Sequence, residues 1–97
     1  MSLLTTKTIT AQNTWSDAVT LVGDFTLSIS GTFAATVTVQ RSHDNGVNWR
    51  DVDTFTAETE ENGYEPEYVK YRVGVATGDF TSGTVVVRLG KGDTEDH

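Results

Sequence analysis

Apolar and polar residues alternate one for one through most of this chain. Phe25, Leu27 and Ile29 share one parity, with Thr26, Ser28 and Ser30 on the other. Val37 and Val39 alternate with Thr36, Thr38 and Gln40. Val69, Tyr71, Val73 and Val75 oppose Lys70, Arg72, Gly74 and Ala76, and Val85, Val87 and Leu89 oppose Thr84, Val86 and Arg88. A period of two gives a strand one dry face and one wet face, as in antiparallel sheets. No window carries a helical stripe of useful length. Gly23-Asp24, Gly31, Asn45-Gly46, Asn62-Gly63, Gly78-Asp79 and Ser82-Gly83 fall between these runs, where hairpins turn.

The pattern predicts about seven to eight strands, near 6–12, 17–22, 25–31, 34–42, 48–56, 67–76 and 83–90, with a short piece near 64. Short strands with one apolar face each pack as two layers, so the expected fold is all-β, a single antiparallel β-sandwich over residues 1–90. Immunoglobulin-like and jelly-roll strand orders both remain open. No apolar residue follows Leu89, and residues 91–97 are expected to form a disordered acidic tail.

Composition supports the strands. Thr, with 17 copies, is the commonest of the 97 residues, and both Thr and Val favour extended backbone. The length allows one domain. Cysteine is absent, which removes disulfides, thiolate nucleophiles and thiolate metal sites together. No apolar run approaches the roughly 20 residues of a membrane-spanning helix, so no membrane partner is expected. Met1 to Thr10 holds one Lys and no apolar stretch of signal-peptide length, and export by that route is not expected.

Charge is placed unevenly. The net charge of −7 comes from 14 acids against 7 bases, which argues against nucleic acid, since phosphate binding runs on clustered Lys and Arg. Between His43 and Glu67 stand Asp44, Asp51, Asp53, Glu58, Glu60, Glu61, Glu65 and Glu67 against Arg50 alone. That stretch carries the whole net charge. Glu58 to Glu67 is expected to be an exposed loop, because such acids are not buried unpaired. Solubility and protection of a sheet edge explain it blandly; a patch for a basic partner explains it functionally. The acids lack the Asp-x-Asp-x-Asp-Gly spacing of a calcium loop, and no metal or cofactor is expected.

Nothing in the sequence assembles a catalytic site. His43 and His97 are the only histidines, and the Ser and Thr residues have no base and orienting acid to activate them. The carboxylates lack the rigid, partly desolvated cleft of a glycosidase pair. No Gly-rich loop opens a helix for phosphate. A non-enzymatic protein is expected. Phe25, Phe33, Phe55, Tyr71 and Trp49 are assigned to apolar faces. Trp15, Tyr64 and Tyr68 lie near polar segments, where aromatics also serve interfaces, so Trp15, Tyr64, Tyr68, Glu58, Glu60 and Glu61 form the candidate interface set.

Ser42-His43-Asp44-Asn45-Gly46-Val47-Asn48-Trp49 resembles the Asp box, Ser-x-Asp-x-Gly-x-Thr-Trp, departing from it where Asn48 replaces Thr. The residue types make sense as a turn: Asp44 accepts from turn amides, Gly46 supplies positive φ, and the aromatic packs the hairpin onto the sheet. Ser42, Asp44, Gly46 and Trp49 are therefore read as a structural turn and not as a site. A two-residue turn at Asn45-Gly46 would set Arg41 opposite Arg50. A five-residue loop, Asp44 to Asn48, sets Arg41 opposite Asp51 and Val37 opposite Phe55, and is preferred on charge. It would also leave Trp49 on the face of Val37, Val39 and Phe55.

The stretch from Ser30-Gly31-Thr32-Phe33 through Thr36-Val37-Thr38-Val39-Gln40 to the Asp44-x-Gly46-x-x-Trp49 turn is similar to a pattern in small structural proteins of tailed bacteriophages. Tyr71-Arg72-Val73-Gly74-Val75 and Ser82-Gly83-Thr84-Val85 fit the same relatives, so the similarity runs from about Phe25 to Leu89. The resemblance implies a virion protein made in the host cytoplasm, a head-decoration (cement) protein binding the capsid surface, and a homo-oligomer. Its alternative is a tail-associated or carbohydrate- or receptor-binding module using Trp15, Trp49 or Tyr64. No catalytic residue transfers, because the shared pattern defines a hairpin.

Overall fold

The structure, a computed structural model, describes residues 4–91. Among these residues every regular element is a strand, and every pairing is antiparallel. The strands are β1 (Leu4–Ile9), β2 (Thr14–Trp15), β3 (Val19–Ser30), β4 (Phe33–Ala35), β5 (Val37–Ser42), β6 (Arg50–Phe55), β7 (Thr59–Val75), β8 (Phe80–Gly83) and β9 (Val85–Gly90). Seven of them make one sheet in the order β1-β9-β3-β7-β5-β6, with β2 beside β7, and β4 and β8 form a separate pair.

Two strands are too long for one layer. β3 has 12 residues and β7 has 17, and their pairing breaks in the middle. Leu21 faces Val69 and Gly23 faces Glu65, so Val22 alone stands against Pro66, Glu67 and Tyr68. Extra residues on one strand of a pair bend it and increase its twist. Pro66 suits the spot, since it has no amide to give to a ladder. Beyond the bend the sheet folds over itself. One half carries β1, β9, the end of β3 and the start of β7; the other carries the start of β3, the end of β7, β5 and β6. The molecule measures 34 × 32 × 19 Å, and the short dimension is that of two sheets about 10 Å apart with their outer side chains. This is the two-layered, sandwich-like all-β architecture that the alternation predicts.

The core is the set of inward parities. Ile9, Leu21, Ile29, Val37, Val73, Val75, Val85, Val87 and Leu89 are all fully buried. Each such side chain stabilises the fold by about 1.5–3 kcal/mol relative to exposure. Phe33, Ala35, Phe55 and Phe80 pack around this core, and β4 and β8 contribute three of the four.

Three expectations need correction. The acidic segment is not a loop: Thr59 to Glu65 is strand, paired residue by residue with Gly23 to Ile29 of β3. Gly23-Asp24 and Asn62-Gly63 lie inside strands, whereas Gly31, Asn45-Gly46 and Gly78-Asp79 do turn the chain and Gly83, with φ of +96°, ends β8 one residue before β9. The β5–β6 hairpin has the expected pair Val37–Phe55 at its base, but a bulge after Val39–Asp53 brings Arg41 opposite Arg50, not Asp51. Of the tail expected at 91–97, residues 92–97 lie outside the described residues. Lys91 donates its Nζ to the Val22 carbonyl at 2.8 Å.

Candidate functional site

Arg41 shares the inward parity of Val37 and Val39, an awkward place for a cation. Its answer comes from β7. The guanidinium donates to Glu65 Oε2 at 2.8 Å, which is why two arginines facing each other across β5 and β6 are tolerated. Glu65 was expected in an exposed loop, but it retains only 4% of its surface, because the bend turns it inward. Tyr71, the direct cross-strand neighbour of Arg41, donates its hydroxyl to the same oxygen at 2.5 Å. Burial pushes the Glu65 carboxyl up, but the bonds from Tyr71 and Arg41 outweigh it and leave the group below its ordinary value. Burial first, and the Glu65 carboxylate second, push the Tyr71 hydroxyl up to about 12.

This triad closes one end of a cleft of about 270 Å³. Its floor is core surface: Phe25, Leu27, Val39, Phe55 and Leu89. The walls are two strand edges, β6 through Val52 and Asp53 and the start of β7 through Glu61 to Tyr64. Phe25 and Tyr71 meet there with ring centroids 5.0 Å apart. Gly63, directly across from Phe25, makes room for that ring in the floor. A Cβ on it would lie 2.4 Å from the Phe25 ring, so any larger residue would displace the aromatic.

The turn read from the sequence is built as its residue types require. The Asp44 carboxylate accepts from the Ser42 hydroxyl (2.7 Å), the Asn48 amide (2.9 Å) and the Asn48 side chain (2.7 Å). These bonds, that of Ser42 foremost, hold Asp44 well below the usual carboxylate range. Ser42 Oγ also accepts from the Gly46 amide at 2.8 Å, and Gly46 has φ of +89°, a conformation that glycine adopts freely. Asn48, in place of Thr, thus adds a side-chain bond to Asp44.

Trp49 does not pack on the Val37–Val39–Phe55 face as expected. It lies on the opposite, outer face with its ring 4.5 Å from the Arg72 guanidinium carbon, and Trp15 covers the same guanidinium at 4.5 Å. The bulge in β6 shifts the hairpin end by one residue, and a one-residue shift exchanges faces. Gly74 clears the way for β2, since a Cβ there would meet the Thr14 carbonyl at 2.3 Å and the Trp15 ring at 2.8 Å. Gln40 accepts from Arg72 Nε at 2.8 Å and donates to Asp51 at 2.8 Å. Burial lowers the pKa of Arg72, and two aromatic faces substitute for a counter-ion.

The candidate interface residues therefore separate. Glu61 and Tyr64 flank the cleft. Glu60 accepts from Ser28 Oγ at 2.5 Å and Glu58 from the Gly31 amide at 3.1 Å. Tyr68 stands 74% exposed at the bend. Trp15 sits with Trp49 on the outer face of the other layer. Sequence reasoning missed the Arg41–Glu65–Tyr71 triad, although the parity of Arg41 with Val37 and Val39 signalled an inward cation in need of a partner. Among the described residues no group of three or more His, Asp or Glu could hold a metal ion. No family model, curated protein or solved structure matches this chain.

Proposed function

We propose that this chain is a non-enzymatic structural protein of a tailed-phage particle, a head-decoration (cement) protein that acts by burying surface against coat-protein subunits and works as an oligomer. The observation that supports the reading best is the cleft between two strand edges, an apolar floor under an acidic rim. Such a feature suits contact with another protein better than turnover of a substrate. The cluster of titratable groups beside it, Arg41, Glu65 and Tyr71, is internally bonded and offers no nucleophile. The solution mass by light scattering, together with co-sedimentation on expanded capsids, tests the proposal. A defined oligomer and saturable co-sedimentation are expected; a monomer that ignores capsids overturns it.

A second reading, a tail-associated or carbohydrate-binding module, has one observation in its favour: Trp15 and Trp49 meet on one outer face around Arg72. Their inward ring faces are spent on the guanidinium, which weakens it. Glycan-array binding lost in Trp15→Ala or Trp49→Ala, with the fold retained, would move the assignment there.

A further inference from the structure

The side of the sandwich between β6 and the first half of β7 is unfinished. β3 pairs with Thr59 to Glu65 along one side, but β5 joins the other side of β7 only from Lys70 onward. Among the described residues no strand pairs with Thr59 to Glu65 on the side away from β3. The outward amides and carbonyls of that edge form a ready template for another strand. The cleft beside it, at about 270 Å³, has room for side chains carried by such a strand.

The inward column of this edge is Glu61, Gly63, Glu65. Glu65 is already satisfied by Arg41 and Tyr71. Gly63 presents no side chain; the Phe25 ring lies over it and lines the cleft there. Glu61 and, across the mouth, Asp53 are exposed carboxylates, and among the described residues neither has a cation within ion-pair distance. We infer that this edge takes up an extended segment of a partner protein by strand addition, the segment placing an apolar side chain beside Gly63 and a Lys or Arg two residues away beside Glu61. Main-chain bonds to Thr59–Glu65 supply the grip, and the alternate residues supply selectivity. The inference rests on the reading that the chain works by protein contact, and it names the surface and the chemistry of the partner.

The test uses the full chain and a capped heptapeptide with threonine at odd positions and lysine, valine, lysine at even ones. Amide shifts on titration are expected at Thr59–Glu65 and Arg50–Phe55, with saturation in a range up to about 1 mM. Glutamate in place of lysine should abolish them. N-methylation of the backbone amides that face the edge should also abolish them while leaving the peptide's charge intact. The double variant Asp53→Lys, Glu61→Lys should weaken binding by about tenfold or more, and faster at low salt than at high. No shifts, shifts centred on Trp15 and Trp49, or equal binding of the glutamate or N-methylated peptide would each overturn strand addition at this edge. Capsid co-sedimentation that persists despite such a result would leave the particle role standing, so the two readings fail separately.

Discussion

Tyr71 and Glu65 lie six residues apart on one strand, yet the Tyr71 hydroxyl donates to Glu65 at 2.5 Å. On a straight strand six residues span about 20 Å. The bond therefore spans the inside of the bend at Pro66–Tyr68 and ties the two halves of β7 together at the point where the sheet changes layer. Replacing Tyr71 with Phe should cost about 1–2 kcal/mol, and Glu65→Ala about 2–4 kcal/mol, because it leaves Arg41 and Tyr71 without their shared acceptor. Urea denaturation measures both. A double-variant cycle should show coupling of at least about 0.5 kcal/mol, and additivity would mean that the bond contributes nothing.

Stability should fall on both sides of neutral for identifiable reasons. Glu65 and Asp44 titrate in the fold below their ordinary values of 4.5 and 3.8, so their contribution is complete above those values and is lost as pH falls through the folded ones. Tyr71 is raised from 10.0 to about 12, so its contribution is complete below pH 10 and disappears as pH climbs toward 12. Melting temperature against pH should show a plateau bounded by these limbs. In Tyr71→Phe the alkaline limb between 10 and 12 should flatten, and an unchanged limb would assign it to other groups.

Gly63 and Phe25 form a cross-strand pair that works only with glycine. With a Cβ 2.4 Å from the ring, Gly63→Ala should destabilise by about 1–3 kcal/mol through displacement of Phe25. Combining it with Phe25→Leu should recover part of that loss. A Gly63→Ala protein as stable as the parent would mean that the ring has another place to go.

Arg72 stands between two indoles, and each should depend on it. Trp15→Ala and Trp49→Ala should each cost about 1–3 kcal/mol, with the pair less than additive, since both act on one cation. Arg72→Met should change the fluorescence of both tryptophans while preserving the far-UV spectrum. Unaltered emission would show that the stack does not persist in solution.

The triple change of Glu58, Glu60 and Glu61 to Gln moves the formal charge from −7 to −4, three acids neutralised, and should leave the fold intact. Gln still accepts from the Gly31 amide and the Ser28 hydroxyl, and surface pairs of this kind are worth little. A shift in melting temperature beyond a few degrees in either direction would show that the charges themselves govern this edge.

Alternation made the class and most of the core legible: Phe25, Leu27, Ile29, Val37, Val39 and the runs at 69–75 and 85–89 face inward as their parity says. The start of β7 was hidden because Glu, Asn, Gly and Pro are poor strand formers, and only pairing with β3 holds them extended. Gly23-Asp24 looked like a turn because the dipeptide is one in most settings; here it passes the bend inside a strand. The face of Trp49 depended on a single bulge residue, which no pattern of apolar spacing records. The triad needed two strands and a bend to assemble, and only Arg41 carried a local hint of it.

One consequence of the strand order concerns folding. β9 sits between β1 and β3, and Leu4 pairs with Gly90. The hydrogen-bonded place of β1 in the sheet thus exists only once β9 is in position beside β3. Folding of this sandwich therefore includes the closure of a loop that runs from β1 to β9, a topology that makes it slow for its size.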